Sequence, residues 1–349
     1  MLNRERLATI FTNFAENECK GSSGLYEYLG LEIARDHELL ELCTNARKGQ
    51  PVPNLLFGAV HFLLLKGNEH KLKEFYPSLV STPKPPGESY EYFKDFCLLN
   101  IKEISKMLQT KLVQTNEVLR CAYLYPVFSF IYEKTKKPLA LVEIGTSAGL
   151  QLLWDKYSYT INENDLVGNP DSTLQISTVC LGDEIPFLKS TSPPVSTRIG
   201  FDLNIVDLTN EEELLWLKAL IWPEHKERLT LFEQAANYII EAPIQFVEGD
   251  GVTLLKTFVD KIAMDQTICI YHTHVANQMP IESRKSLLDS IESIGKNRDV
   301  FHIYNNVQDK YLHLDYYING LEHTQTIAET DGHGRWFKWF VKNEFELQS

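Results

Sequence analysis

Signals of a secreted protein or a zinc site are absent from this sequence. Its six cysteines are scattered and form no Cys-x-x-Cys pair, which argues against a zinc ribbon and against a framework of disulfides. We therefore expect free thiols in a reducing cytoplasm. The first residues carry mixed charge and no apolar core follows them, so we expect no signal peptide.

Long apolar runs and an excess of positive charge are missing as well. The most apolar stretch, residues 55–65, is interrupted by Gly58 and His61 and is too short to cross a bilayer. The formal net charge is −13, which argues against sequence-independent binding of nucleic acid, because such binding requires a basic face. We expect neither a nucleic-acid partner nor a membrane partner.

What the chain does contain is the composition of an ordinary folded protein, with 44% hydrophobic and 23% charged residues. Its 349 residues are enough for two domains, or for one large domain with a helical extension. Residues 1–135 carry apolar stripes at helical spacing, and Ser23 and Asp36 are placed to cap two of the helices. We predict a helical domain there that covers the substrate side of a site in the rest of the chain.

The stretch 139–154 is the feature around which we interpret the sequence. Its apolar first part, 139–144, predicts a buried parallel strand, and a turn of small residues from Gly145 to Gly149 leads into apolar positions at helical spacing. Strand, glycine turn and helix in that order are typical of a nucleotide-binding corner, where the amides from Ser147 onward would favour an anion. The alternative is a tight connection that binds nothing. We interpret the turn as a ligand loop and expect no hydrolase chemistry.

Strand-then-helix units repeat further along the chain. Such alternation predicts a parallel sheet with helices on both faces. The tail from residue 311 alternates like antiparallel strands and would add an antiparallel edge, whereas 158–197 is interpreted as a β-rich insertion. The predicted fold is α/β: a Rossmann-like, mostly parallel sheet over 136–349, preceded by an all-α domain over 1–135.

Polar residues follow several of the predicted strands at the point where each strand ends. Because ligands of an open α/β sheet bind beyond the carboxyl ends of its strands, these residues are the candidate site. They are Glu143, Asp202, Asn204, Asp250, His272, Thr273, His274 and Asn277. Each has a simpler explanation; Asp250, for example, is equally well explained as a helix N-cap. Their recurrence at successive strand ends favours the functional interpretation.

Glu143, Gly145 and Gly149 form an acid-x-Gly-x-x-x-Gly loop. This loop resembles motif I of the class I S-adenosylmethionine-dependent methyltransferases, whose ligand carries an ammonium and a sulfonium but no phosphate. The resemblance implies S-adenosylmethionine as the cofactor, with its methionine moiety held by the backbone through Thr146 and Ser147 and its ammonium near Glu143. Ser147 stands where that family has a middle glycine, and the family's Asn/Asp-Pro-Pro-Tyr tetrapeptide is absent.

The remaining cofactor contacts implied by this resemblance come from two later strands. Asp202 would accept both ribose hydroxyls, with Asn204 beside it and Asp207 as a rival candidate. Asp250, in a Gly-Asp-Gly turn, resembles the acid that lies beside the adenine amino group.

The acceptor side of the site is expected after the strand that ends at His272. A histidine suits removal of the acceptor's proton, so His272 and His274 are the catalytic candidates. Because alternate residues of a strand face opposite sides, at most one of the two faces the site. Asn277 and His333 are candidate substrate contacts. The histidines lack any local spacing of metal ligands, so we predict no metal site.

A second resemblance extends from about residue 139 through most of the remaining chain. It is to a little-characterised bacterial family with a methyltransferase-like fold, and this likeness implies the fold more than an activity. The motifs that carry it, besides the glycine turn, are Trp216-Leu217, Trp222-Pro223-Glu224, Arg228, Asp202-x-Asn204 and His333-Gly334-Arg335-Trp336.

Three functions follow from these observations. The first is an S-adenosylmethionine-dependent methyltransferase that acts on an unidentified small or medium-sized acceptor. The second is a binding module that holds a nucleoside-like ligand without turnover, which Ser147 and the missing tetrapeptide favour. The third, an NAD-dependent oxidoreductase, requires an acid about 20 residues beyond the glycine loop, whereas Asp202 lies much further on. The acceptor and the oligomeric state cannot be deduced from the sequence.

Overall fold

The computed structural model describes residues 3–342, which pack into two compact units. The first unit contains the described residues up to Thr115 together with Thr209–Thr230, and the second contains Asn116–Leu208 and the described residues from Leu231 onward. This division differs from the predicted boundary near residue 135. Residues 121–131 are buried along their whole length and pack in the second unit, where Phe128 stacks on Trp154 with ring centroids 4.6 Å apart.

Eleven α-helices lie within residues 3–342, and short 3-10 and π segments connect some of them. In chain order the helices are α1 (Arg4–Asn13), α2 (Gly24–Ile33), α3 (His37–Cys43), α4 (Val52–Leu65), α5 (Tyr90–Leu99), α6 (Ile101–Thr110), α7 (Cys121–Thr135), α8 (Glu211–Leu220), α9 (Lys226–Ile240), α10 (Gly251–Val259) and α11 (Ile281–Gly295). The predicted caps are confirmed, since Ser23 accepts from the amide of Tyr26 and Asp36 accepts from the amides of Glu38 and Leu39.

The first unit is a helical body whose centre is aromatic. Tyr26 stacks on Phe57 with centroids 4.1 Å apart, and Trp222 lies edge-on against Phe14 at 5.5 Å. Glu224 accepts from the Ser23 hydroxyl at 2.8 Å and from the Leu25 amide at 2.9 Å, so it satisfies donors at the start of α2. The Trp222-Pro-Glu224 motif is therefore part of the packing of this helical body.

Substitution Glu224→Ala tests this packing role. It leaves two donors at the start of α2 without their carboxylate, and we expect the free energy of unfolding to fall by about 1–3 kcal/mol. Denaturant unfolding followed by circular dichroism measures the change. Glu227→Ala is the control, because Glu227 is exposed on the neighbouring helix and should change stability by no more than about 0.5 kcal/mol. Equal effects of the two substitutions would show that Glu224 has no such role.

The second unit is built on one sheet of eleven strands. In chain order they are β1 (Leu139–Ile144), β2 (Ser158–Ile161), β3 (Val167–Gly168), β4 (Gln175–Leu181), β5 (Val195–Asp202), β6 (Gln245–Glu248), β7 (Thr267–His272), β8 (Val300–Tyr304), β9 (Leu312–Ile318), β10 (Leu321–Thr330) and β11 (Trp336–Trp339). Their order across the sheet is β3-β2-β4-β11-β10-β9-β8-β7-β1-β5-β6.

Five neighbouring strands of this sheet, β6, β5, β1, β7 and β8, run parallel to one another. From β1 the chain builds outward through β5 and β6 on one side, then returns to build β7 and β8 on the other. The order therefore reverses between β1 and β7, and such a switch point is where open α/β sheets bind ligands. The mixed α/β class with a mostly parallel sheet is confirmed.

The tail and the insertion complete the sheet. Strands β9 and β10 are antiparallel to their neighbours, as predicted for the tail. The insertion supplies β2, β3 and β4, and β4 pairs with β11, so these residues extend the same sheet. One face of the parallel strands is covered by apolar residues of α10 and α11, among them Val252, Leu255, Leu287 and Ile291.

The segment after the glycine turn departs from the prediction. Leu150–Lys156 is a 3-10 helix, with a break in helical conformation at Leu153. Nearly all of its side chains are buried, including Trp154, so it has no polar face and lies within the core. The conformation of a segment that is packed on all sides depends on the residues around it. The periodicity of its own sequence therefore does not determine whether it forms an α-helix or a 3-10 helix.

Candidate functional site

The candidate site lies at the carboxyl ends of β1, β5, β7 and β8, all in the second unit. The turn after β1 has left-handed backbone at Gly145 (φ 79°), Ser147 (φ 50°) and Gly149 (φ 79°). Glycine adopts this conformation freely, whereas at Ser147 it costs roughly 1–2 kcal/mol. The turn is therefore a strained segment that its surroundings must hold in place.

Side chains from two other segments hold the turn. The amide of Ser147 donates to Asp202 Oδ2 at 2.8 Å, and the amide of Ala148 donates to Asn116 Oδ1 at 3.2 Å. Asn116 Nδ2 also donates to Ser147 Oγ at 3.0 Å. The amide of Gly149 donates to the carbonyl of Thr146 at 2.8 Å. The predicted opening of these amides toward a ligand is thus not found. Side chains distant in sequence accept from Ser147 and Ala148, and the nearby carbonyl of Thr146 accepts from Gly149.

The turn also reads Gly-Thr-Ser-Ala-Gly, a Gly-x-Ser-x-Gly motif between a strand and a helix. We interpreted this turn as a ligand loop and did not consider the motif. In hydrolases, the same motif exposes a nucleophilic serine at a strained turn. Ser147 has the left-handed backbone, but it is only 4% exposed and its oxygen is bonded to Asn116. No histidine among residues 3–342 forms a hydrogen bond with this hydroxyl, so the base that would activate it is not in place.

Glu143 at the end of β1 is a buried acid, only 4% exposed. Its Oε2 accepts from Thr146 Oγ1 at 2.6 Å. Burial, the largest cause, and the charge of Asp202 together raise the pKa of Glu143 to about 8, although the Thr146 hydroxyl and the charge of Arg120 oppose the shift. Glu143 is therefore mostly protonated at neutral pH, and a cation placed beside it would favour its ionisation.

Asp202 lies on the neighbouring strand, where both of its carboxylate oxygens accept backbone amides. One oxygen accepts from Ser147, and the other accepts from Asn204 at 2.9 Å. Burial nevertheless raises the pKa of Asp202 above its usual range. Asp202 thus joins β5 to the turn. The structure brings Glu143, Thr146, Ser147, Asp202 and Asn204 together.

Asp250 is exposed and caps α10, accepting from the amide of Val252 at 3.0 Å. This is the helix N-cap that the sequence offered as the alternative to an adenine contact.

The two catalytic candidates after β7 occupy different environments. His272 is fully buried on the sheet, where its Nε2 is 3.2 Å from Nε2 of His302. His272 is the last residue of β7, and its ring is enclosed on the sheet, so a catalytic role for it stays a prediction. His274 lies beyond the strand end with φ 57°, and its amide donates to Asn305 Oδ1 at 2.7 Å.

The side-chain chemistry of His274 is that of a hydrogen-bond donor. Asn306 Nδ2 donates to its Nδ1 at 3.3 Å, which assigns the ring proton to Nε2. That Nε2 is buried and has no partner among residues 3–342. Burial, the largest cause, and the charge of Arg120 lower the pKa of His274 to about 4. At neutral pH the ring is therefore neutral and presents an N–H.

His333 comes to the same edge from the turn between β10 and β11. Its Nδ1 is 3.0 Å from Oε2 of Glu117, which is buried, while the His333 side chain is 42% exposed. The carboxylate fixes the proton on Nδ1 and leaves the lone pair on Nε2, the tautomer that a general base requires. Asn277 is exposed in the short 3-10 segment Ala276–Gln278, and its side chain forms no hydrogen bond with another described residue.

Residues that sequence analysis missed come mainly from the segment just before α7. Asn116 holds the glycine turn, Glu117 orients His333, and Arg120 is buried beside Thr273. The sequence contained one signal, since Arg120 is a single charge that begins the apolar run of α7. Pairing of this segment with the ends of β1 and β7 is a tertiary contact that local pattern does not encode.

Two further properties concern the described residues as a whole. No group of three or more His, Cys, Asp or Glu side chains within residues 3–342 is arranged to hold a metal ion. Within the same range, no helix is both long enough and apolar enough to span a membrane.

The fold and site define a mixed α/β protein with a strained glycine turn at the switch point of a mostly parallel sheet. The chain belongs to the family described as "Uncharacterized protein conserved in bacteria (DUF2332)", which matches residues 8–339. Membership in a bacterial family of this kind, inferred from the tryptophan and His333–Trp336 motifs, is thereby confirmed. No curated protein and no solved structure matches the chain.

The buried acid gives a test through pH. Folding raises the pKa of Glu143 from 4.5 to about 8. Its contribution to stability is therefore fully present below about pH 4.5 and is lost as pH rises through about 8. We expect Glu143→Gln to gain stability relative to the wild type across that interval, by up to a few kcal/mol.

Urea unfolding at several pH values measures this difference. Glu282→Gln makes the same chemical change at an exposed position and should show no such pH dependence. A difference between Glu143→Gln and wild type that is independent of pH would contradict a protonated buried acid.

Proposed function

We propose that the second unit binds S-adenosylmethionine at the carboxyl ends of β1 and β5 and transfers its methyl group to a small acceptor held near β7. The strand order of the parallel block, with antiparallel β9 beside β8, agrees with the class I methyltransferase sheet that the glycine loop resembles. The complete sheet is larger, with eleven strands where that fold usually has seven.

One observation carries the proposal: two acids meet at the glycine turn on neighbouring strands. The charge of Asp202 contributes to the raised pKa of Glu143, so the two carboxyl groups lie within electrostatic reach of each other. A ligand with an ammonium and a sulfonium would favour the ionised form of both carboxyl groups, whereas a pyrophosphate would oppose it. The acid pair therefore favours a cationic cofactor over a dinucleotide.

The amides of the glycine turn already have hydrogen-bond acceptors within the protein, and a ligand must compete with these acceptors. The amides of Ser147 and Ala148 have acceptors on Asp202 and Asn116. A ligand that uses them must displace Asn116, while Asp202 retains further lone pairs for hydroxyl groups of a ligand. Asp250, exposed at the end of β6, remains the candidate near the adenine.

The acceptor's proton needs a base, and His333 is better placed for this than His274. Glu117 holds His333 with a lone pair on Nε2, whereas the ring of His274 presents an N–H. We assign His333 as the base and His274 as a donor toward the acceptor.

Calorimetric titration tests cofactor binding. We expect S-adenosylmethionine and S-adenosylhomocysteine to bind and NAD not to bind. Asp202→Ala should weaken S-adenosylhomocysteine at least about tenfold, a loss of about 1.4 kcal/mol, because it removes the carboxylate beside the turn. Asp260→Ala, at an exposed carboxylate paired with Lys256, is the control. Folded wild-type protein that gives no heat with either compound, or unchanged affinity in Asp202→Ala, would contradict the proposed site.

Turnover distinguishes an enzyme from a binding module, the alternative that Ser147 and the missing tetrapeptide favour. Incubation of labelled S-adenosylmethionine with a cell extract should yield transferred label. We expect His333→Gln to reduce transfer on the order of 10²-fold with cofactor affinity retained, as loss of a general base does. His323→Gln, at an exposed histidine, is the control. Cofactor binding without any transfer would identify a binding module.

A serine hydrolase is the second candidate, because Ser147 has left-handed backbone within Gly-x-Ser-x-Gly. A fluorophosphonate probe would label Ser147 in such an enzyme and would not label Ser147→Ala. We expect no labelling of the wild type. Asn116 donates a hydrogen bond to the Ser147 hydroxyl, and no histidine among the described residues forms a hydrogen bond with that hydroxyl.

A further inference from the structure

Arg120 is a buried arginine without a carboxylate partner. Arg120 is only 7% exposed, and it takes part in no ion pair among the described residues 3–342. Its Nε donates to the carbonyl of Gly332 at 3.0 Å, and one terminal nitrogen donates to the carbonyl and hydroxyl of Thr273 at 3.4 and 3.3 Å. These acceptors form hydrogen bonds with the guanidinium but carry no negative charge. Because buried charges are normally paired with an opposite charge, the guanidinium lacks its usual kind of partner.

Two further donors near Arg120 are buried without a partner in the described part of the chain. One is Nε2 of His274, and the other is Nδ2 of Asn305, a residue with no exposed surface. The orientation of the Asn305 amide is assigned by its contacts, since its oxygen accepts both the His274 amide and Asn306 Nδ2. The orphaned atom is therefore the amide nitrogen, and all three groups are donors.

The three groups belong to one connected arrangement. Gly332, which accepts from Arg120, lies against the His274 ring, such that a Cβ at Gly332 would be 3.8 Å from Cε1 of that ring. The His274 amide in turn bonds to Asn305 at the end of β8. His274 (φ 57°) and Asn306 (φ 60°) are both held in left-handed backbone, a cost of order 1–3 kcal/mol each that structures retain at functional sites.

We propose that Arg120, His274 and Asn305 form a subsite for an oxyanion, and that the methyl acceptor carries this group as a carboxylate or a phosphate. A planar guanidinium and two neutral N–H donors match the oxygens of such a group. Because the protein carries a net charge of −13, an anion needs a local cation of this kind to bind. The acceptor assignment rests on the proposed function, whereas the anion subsite itself does not.

Titration with simple anions tests the subsite. Inorganic phosphate and acetate are added separately at constant ionic strength to the full-length chain, and binding is followed by the imidazole nitrogen resonances of His274. We expect saturable binding of at least one anion, and the anion that binds identifies the class of group. Arg120→Met should weaken it at least tenfold. Arg298→Met is the matched control, because Arg298 also donates to backbone carbonyls, those of Val259, Ile262 and Ala263.

Asn305→Asp provides a second variant in case Arg120→Met does not fold. It keeps the oxygen that accepts from the His274 amide, but replaces the orphaned donor by a carboxylate oxygen. We expect it to abolish anion binding. Absence of saturable binding in the wild type, or equal binding in the wild type and either variant, overturns the subsite.

S-adenosylhomocysteine separates this proposal from the proposed function. We expect Arg120→Met to bind it within threefold of the wild type. A tenfold or greater loss would place the guanidinium on the carboxylate of the cofactor, which overturns the assignment to the acceptor. Wild-type protein that binds phosphate or acetate through Arg120 but does not bind S-adenosylhomocysteine would refute the proposed function and retain the subsite.

Discussion

The strained turn between β1 and the 3-10 helix depends on acceptors that come from elsewhere in the second unit. Left-handed backbone at Ser147 positions the amides of Ser147 and Ala148 toward Asp202 and Asn116. These bonds compensate the cost of the conformation and at the same time bring Asp202 to the end of β1. Burial is the main cause of the raised pKa of Glu143, and the charge of the nearby Asp202 adds to it. Strain and closure of the turn thus have one origin, and the same contacts place a second acid near Glu143.

The carboxyl edge of the parallel strands has two regions of different electrostatic character. At β1 and β5, the acids Glu143 and Asp202 favour a cation. At β7 and β8, the donors of Arg120, His274 and Asn305 favour an anion. Arg120 lies within electrostatic reach of both parts, since its charge opposes the raised pKa of Glu143 and contributes to the lowered pKa of His274. A cationic cofactor and an anionic acceptor would meet at the boundary between these two regions, at the switch point of the sheet.

Sequence pattern predicted the parts of this molecule that local chemistry determines. The apolar runs of β1, β7 and β8, the caps at Ser23 and Asp36, and the alternation of the tail are local properties, and the structure contains them. The partners of the turn amides could not be predicted, because Asn116 and Asp202 reach them only through the fold. The same reason explains why Leu150–Lys156 is a 3-10 helix and why Trp222 and Glu224 serve the helical unit. The Gly-x-Ser-x-Gly motif is present in the sequence and is typical of a serine hydrolase. The hydrogen bond between Asn116 and Ser147, which argues against a nucleophilic serine, is visible only in the structure.

The central claim is that Glu143 is a protonated acid that ionises when a cationic cofactor binds beside it. Calorimetric titration of S-adenosylhomocysteine at pH 7, repeated in buffers of different ionisation enthalpy, measures the protons exchanged on binding. With a pKa of about 8 in the unliganded protein, Glu143 should release up to about one proton in the wild type, and Glu143→Gln should release none. Binding to the wild type without proton release, or equal release by the variant, would contradict the account.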